Sequence, residues 1–162
     1  MDHEITPPTA PTLNVSPYGF RLWAKEFYEC YRCYRSFERT SDFSPVPYFL
    51  LCRAIELQFK AFHLAALGQS AVKNTGKSAV DVVKEYKHHL TKSYNDLPAT
   101  LRTLSTEEFR LLKKANRIYS GKGFEYFNVG HAGRGFSNFP DLYALDALAT
   151  KIIEWPDPDE GA

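Results

Sequence analysis

The segment Pro47–Gly68, PYFLLCRAIELQFKAFHLAALG, limits what this chain can become more than any other stretch. No glycine or proline interrupts it, and it reads as a helix apolar on almost every face. A helix of that kind is the buried centre of a bundle rather than a surface element. Three charged residues and a histidine break the apolar run: Arg53, Glu56, Lys60 and His63. At about 100° per residue, their spacings of three, four and three place them on one narrow stripe. Charges on a buried helix must be paired or must face a cleft. The stripe is therefore either a structural ion-pair ladder or one wall of a site. The separations Arg53–Glu56 and Glu56–Lys60 both suit ion pairing along a helix.

The remaining segments read as partners for that centre. Ser16-Pro17 is a helix start, a hydroxyl cap followed by proline at the first helical position. From there to about Arg39, Phe20, Trp23, Phe27, Cys30 or Tyr31, Tyr34 and Phe37 recur at steps of three and four, which predicts an aromatic core face. Residues 40–47 turn the chain. The central helix ends at Gly68, read as a C-cap glycine. After a polar loop, a third helix runs from Val80 to about Tyr86. His88-His89-Leu90 marks a bend or a new start, and Thr91–Leu97 is helical up to Pro98. Ser105-Thr-Glu-Glu108 is a capping box that opens a helix to about Tyr119. Pro140-Asp141 starts the last helix, to about Glu154, with Leu142, Leu145, Leu148 or Ala149, and Ile152 on its buried side. The expected fold is all-α, an up-and-down bundle of about five to six helices. The single domain spans residues 16–155, after a disordered arm over 1–15 and before a loose tail over 156–162.

Composition narrows the function classes. Twenty basic and nineteen acidic residues leave a net charge of +1, so no global field favours nucleic acid or an anionic membrane. No apolar run approaches the ~20 residues that span a bilayer. The N-terminus lacks the apolar core of a signal peptide, so a cytoplasmic protein is expected. Three cysteines, Cys30, Cys33 and Cys52, argue against a disulfide framework. The C-x-x-C pair lies inside a helical pattern and has no second pair to complete a zinc site. All three read as small buried apolar residues. No cofactor or metal is implied.

Chemistry-bearing candidates are few. His88 and His89 point about 100° apart on a helix, so only one can line a given site; either could act in proton transfer or as a hydrogen-bonding pivot. Residues 120–138, SGKGFEYFNVGHAGRGFSN, hold five of the nine glycines and four aromatic rings. A phosphate-loop motif is absent, and no strand precedes the glycine run. Its Lys122, His131 and Arg134, with Phe124, Tyr126 and Phe136, still offer charge and stacking to a nucleotide or a single strand. Phe124–Phe127 is the one stretch with strand character. The alternative is an ordered lid with its rings tucked onto the bundle.

The order of these features resembles the HEPN superfamily of small helical bundles. The residues that carry it are Ala54, Glu56, Leu57 and Lys60, an A-x-E-L-x-x-K-like core, and the turn Tyr86-Lys-His-His-Leu90. Asn116-Arg-Ile-Tyr119 and the aromatic segment before the last helix are also similar to some members. The resemblance covers residues 17–154. It implies a homodimer, and either a metal-independent RNase or a toxin paired with an antitoxin-like protein partner. The family's RNases carry an arginine followed a few residues later by a histidine. Here Arg53 and His63 are separated by nine residues, and Arg117 and His131 by thirteen. The departure implies a non-catalytic binding or regulatory member. Its groove or interface would use Arg53, Glu56, Lys60, His89, Lys122, Tyr126 and Arg134. The alternative is an RNase with a divergent site drawn from His88, Arg117 and His131, and a third reading is nucleotide or small-molecule binding by the 120–138 loop.

Overall fold

Ser16 opens the first helix as its sequence predicts. Its Oγ accepts from the Gly19 backbone N–H at 3.0 Å, and Pro17 follows where no intrahelical donor is needed. The structure, a computed structural model, describes residues 16–37, 43–70, 79–125 and 138–156, without the side chains of 69, 70, 79, 80, 82 and 83. Among these residues there are six α-helices, a short 3-10 turn at Ala99–Leu101 and no strand. The all-α bundle is what the periodicity predicts. The disordered arm and most of the expected tail fall outside the described residues.

Helix α2 (Val46–Ser70) is the hub. From Leu51 to Ala65 every residue except Arg53 is buried. The other five helices all pack on it: α1 (Pro17–Ser36), α3 (Ala79–Tyr86), α4 (Leu90–Asn95), α5 (Thr106–Tyr119) and α6 (Leu142–Ile153). Ile55, Phe59 and Phe62 of α2 join Leu112 of α5 and Leu145, Leu148 and Ile152 of α6 in the main core. Each such side chain contributes roughly 1.5–3 kcal/mol on burial. Trp155, just past α6, packs against this core, with its ring centroid 5.6 Å from that of Phe62. None of the described helices is long and apolar enough to cross a membrane.

Three sequence expectations need correction. Gly68 does not cap α2, which continues to Ser70; a Cβ at Gly68 would meet nothing within 4 Å, so the residue is simply an exposed helical position. On α1, Phe20, Ala24 and Tyr31 are buried, but Trp23 is 36% exposed, and Phe37, just past the helix end, is 69% exposed. Successive steps of three rotate backwards by about 60° each and drift off the buried face. Cys30 and Cys33 are exposed, for the same reason; only Cys52 is buried.

Caps set the later helices. Ser105 and Glu108 exchange both bonds of a capping box, at 3.2 and 2.7 Å. The Glu108 carboxylate also accepts from Lys151 Nζ at 2.7 Å, tying α5 to α6. Asp141 Oδ1 accepts from the Ala144 N–H at 2.7 Å and starts α6. At the end of α5, Gly123 N–H reaches the Ile118 carbonyl and Lys122 N–H the Tyr119 carbonyl. That paired closure puts Lys122, rather than a glycine, in the left-handed region at φ 58°. Gly123 is required beside it, because a Cβ there would lie 2.8 Å from Ile118 Cγ2. Phe124 thus falls in a turn, and 126 and 127 of the expected strand lie outside the described residues.

Candidate functional site

The polar stripe of α2 meets the histidine turn. Glu56 is 2% exposed, and both of its carboxylate oxygens are doubly engaged. Oε1 accepts from Arg53 Nη1 at 2.8 Å and from Lys60 Nζ. Oε2 takes the Tyr119 hydroxyl of α5 and the His88 ring nitrogen Nδ1, the latter at 3.0 Å. A carboxylate can only accept, so His88 Nδ1 carries the proton in this contact. One acid therefore joins α2, α5 and the turn between α3 and α4.

The backbone explains how His88 arrives there. Lys87 takes φ 42°, a left-handed residue that breaks α3 after Tyr86 and turns the next side chain inward. The His89 N–H closes the turn on the Tyr86 carbonyl at 2.8 Å. His88 then lies edge-on to the Tyr119 ring, 5.6 Å between centroids, with its side chain 32% exposed. His63, one turn beyond Lys60, completes the stripe differently. Its Nε2 donates to the Ser93 carbonyl at 2.9 Å, and its ring stacks on Tyr86 at 4.2 Å.

Electrostatics fix the protonation of the cluster. Burial alone would push the Glu56 carboxyl up, but the Lys60 and Arg53 charges and the bonds from Lys60 and Tyr119 outweigh it and hold it below the usual range. Burial, with the Glu56 charge beside it, pushes the Tyr119 phenol far above its ordinary value. Burial also drives the His63 imidazole down, so its ring is neutral at pH 7. Glu56 is therefore an anchor rather than a proton carrier. The arrangement can hold an imidazole in one orientation and tautomer, beside a guanidinium whose side chain is 28% exposed.

The predicted site residues divide sharply. Arg53, Glu56, Lys60 and His88 converge on one carboxylate. His89 does not join them; it is exposed and caps α4 through its backbone, with no side-chain capping bond. Arg117 is exposed on α5, two residues and so about 200° round the helix from Tyr119. Lys122 is exposed in the turn after α5. Tyr126, His131 and Arg134, and with them the loop readings, lie outside the described residues. Among the described residues no group of three or more His, Cys, Asp or Glu side chains could hold a metal ion. Sequence reasoning left Tyr119 out of the cluster. Its place on the buried face of α5, after Leu112 and Ala115, was the available signal.

No protein-family model, no curated protein and no solved structure matches this chain.

Proposed function

We propose that the chain is a non-catalytic, HEPN-like binding or regulatory domain that acts as a homodimer. The observation that carries the reading is the meeting of Glu56 and Lys60 with His88. The two short segments behind the resemblance, 54–60 and 86–90, are far apart in sequence and share one carboxylate in the fold. Proton bookkeeping supports the non-catalytic reading. General acid–base cleavage of a phosphodiester needs one group to remove a proton and another to supply one. Within the cluster Glu56 is held ionised, Tyr119 is held protonated, and His88 is left as the single candidate carrier. An antitoxin-like protein is the expected class of partner, within a defence or toxin–antitoxin setting.

One observation favours the second reading, a metal-independent RNase. A histidine steadied by a carboxylate and set beside an arginine is a pairing that hydrolytic sites use. This would place the divergent site at Arg53 and His88 instead of Arg117 and His131. An RNA-degradation assay with EDTA present separates the two. The binding reading expects no cleavage by wild type or by His88→Ala. Cleavage that persists in EDTA and disappears in His88→Ala would overturn it. A strict monomer in sedimentation at high concentration would remove the homodimer.

A further inference from the structure

The structure overturns the expectation that every thiol is buried, and it does so in a paired way. Cys30 and Cys33 are both exposed, one turn apart on α1. Helix geometry sets their Cα atoms about 5 Å apart, within the range over which two cysteine sulfurs can meet at a common point. The backbone beneath them is continuous helix to Ser36, whose Oγ bonds the Cys33 carbonyl at 2.7 Å. The pair is thus carried on a rigid element. Cys52 stands apart from it: fully buried on α2, with its thiol pushed up by burial and by the Glu56 charge.

The ligand count decides what such a pair can hold. No third His, Cys, Asp or Glu joins it among the described residues. Two thiolates are too few for the tetrahedral shell that zinc takes in structural sites. They suit a soft cation content with two sulfur ligands, of which copper(I) is the biological case. We propose that Cys30 and Cys33 form a surface dithiolate chelate for copper(I). Two S–H bonds break, two S–Cu bonds form and both protons leave to solvent. No electron is transferred, and the metal stays copper(I). The proposal is independent of the Glu56 cluster and of the reading given to it.

The test is an anaerobic, thiol-free titration of the full reduced chain with copper(I) against a chromophoric competitor. One equivalent is expected to be withdrawn from the competitor. Cys30→Ser and Cys33→Ser should each weaken binding at least ~100-fold, because the second thiolate binds intramolecularly in the intact pair. Cys52→Ala should leave it unchanged. Both serine variants alter exposed positions, and unchanged circular dichroism checks that their fold is kept. Binding that survives either serine variant, or that is lost in Cys52→Ala with the fold intact, overturns the proposal. So does one metal per two chains together with a doubled mass, which would mean a four-thiolate site between copies.

Discussion

Glu56 and Asp146 both fasten helices in this bundle, and their surroundings make them unequal. Glu56 holds α2, α5 and the His88 turn with its side chain 3% exposed. Asp146 holds α1 to α6 with its side chain 15% exposed: Oδ2 accepts from Arg35 Nη1 at 2.7 Å, and Oδ1 accepts from the Tyr28 hydroxyl at 3.1 Å. The geometries are comparable. The difference lies in the alternatives open to the partners. Arg35 is 46% exposed and returns to water if the bond is lost. Lys60 is 7% exposed and has nowhere to go. An ion pair's contribution is thus set less by its length than by what its members do when it is broken.

That contrast can be broken at several points. The largest effect is expected for Glu56→Gln, which keeps the shape but leaves Lys60 and Arg53 without their counter-charge. A loss of about 3–5 kcal/mol in urea unfolding is expected, as for other half-removed buried pairs. A loss below about 1 kcal/mol would mean that water reaches the cluster freely. Tyr119→Phe removes one bond to a charged acceptor and should cost about 1.5–3 kcal/mol by the same measurement.

Acid should act in two steps, both downward. The buried His63 imidazole has a lowered pKa, so its contribution is present above the unfolded value of about 6.5 and is lost as pH falls towards the lower folded one. Glu56, also lowered, contributes above about 4.3 and loses that contribution as pH falls further, through its folded value. His63→Gln keeps an N–H for the Ser93 carbonyl but cannot titrate. Thermal midpoints measured from pH 7 to 3 should lose the upper step in this variant and keep the lower one. The smallest effect is expected for Asp146→Asn, within about 1 kcal/mol and shrinking with added salt. A larger, salt-independent loss would erase the distinction between the two acids.

Much of the fold is legible in the residues. The starts at Ser16, Ser105 and Asp141 are local events, each a side-chain oxygen meeting an N–H three residues on, and sequence reports them well. The stripe Arg53–Glu56–Lys60 is also local, set by helical period. The convergence of the stripe with Tyr119 was hidden, because it depends on how α5 packs on α2. The bend after Tyr86 was legible, but the conformation that makes it was not: a lysine at positive φ carries no sequence signal of the kind that glycine gives. The error at Gly68 is the converse, a glycine with no conformational task. The exposure of Cys30 and Cys33 depended on which side of α1 the hub would cover, and the aromatic pattern there was broad enough to mislead.

The aromatic rings beside the end of α5 also have an engineering consequence. Tyr48 stacks on Phe124 at 5.5 Å and packs edge-on against Phe139 at 5.2 Å, while Phe124 and Phe139 themselves meet at 5.6 Å. The two ends of the intervening segment are therefore brought together by the scaffold, whatever that segment contains. Closing a chain between fixed points grows costlier only slowly with length, about 0.6 kcal/mol per doubling. Positions 125 and 138 thus form a socket, where a foreign peptide, an epitope or a reporter could be spliced in while Tyr48 and its neighbours keep the gap shut.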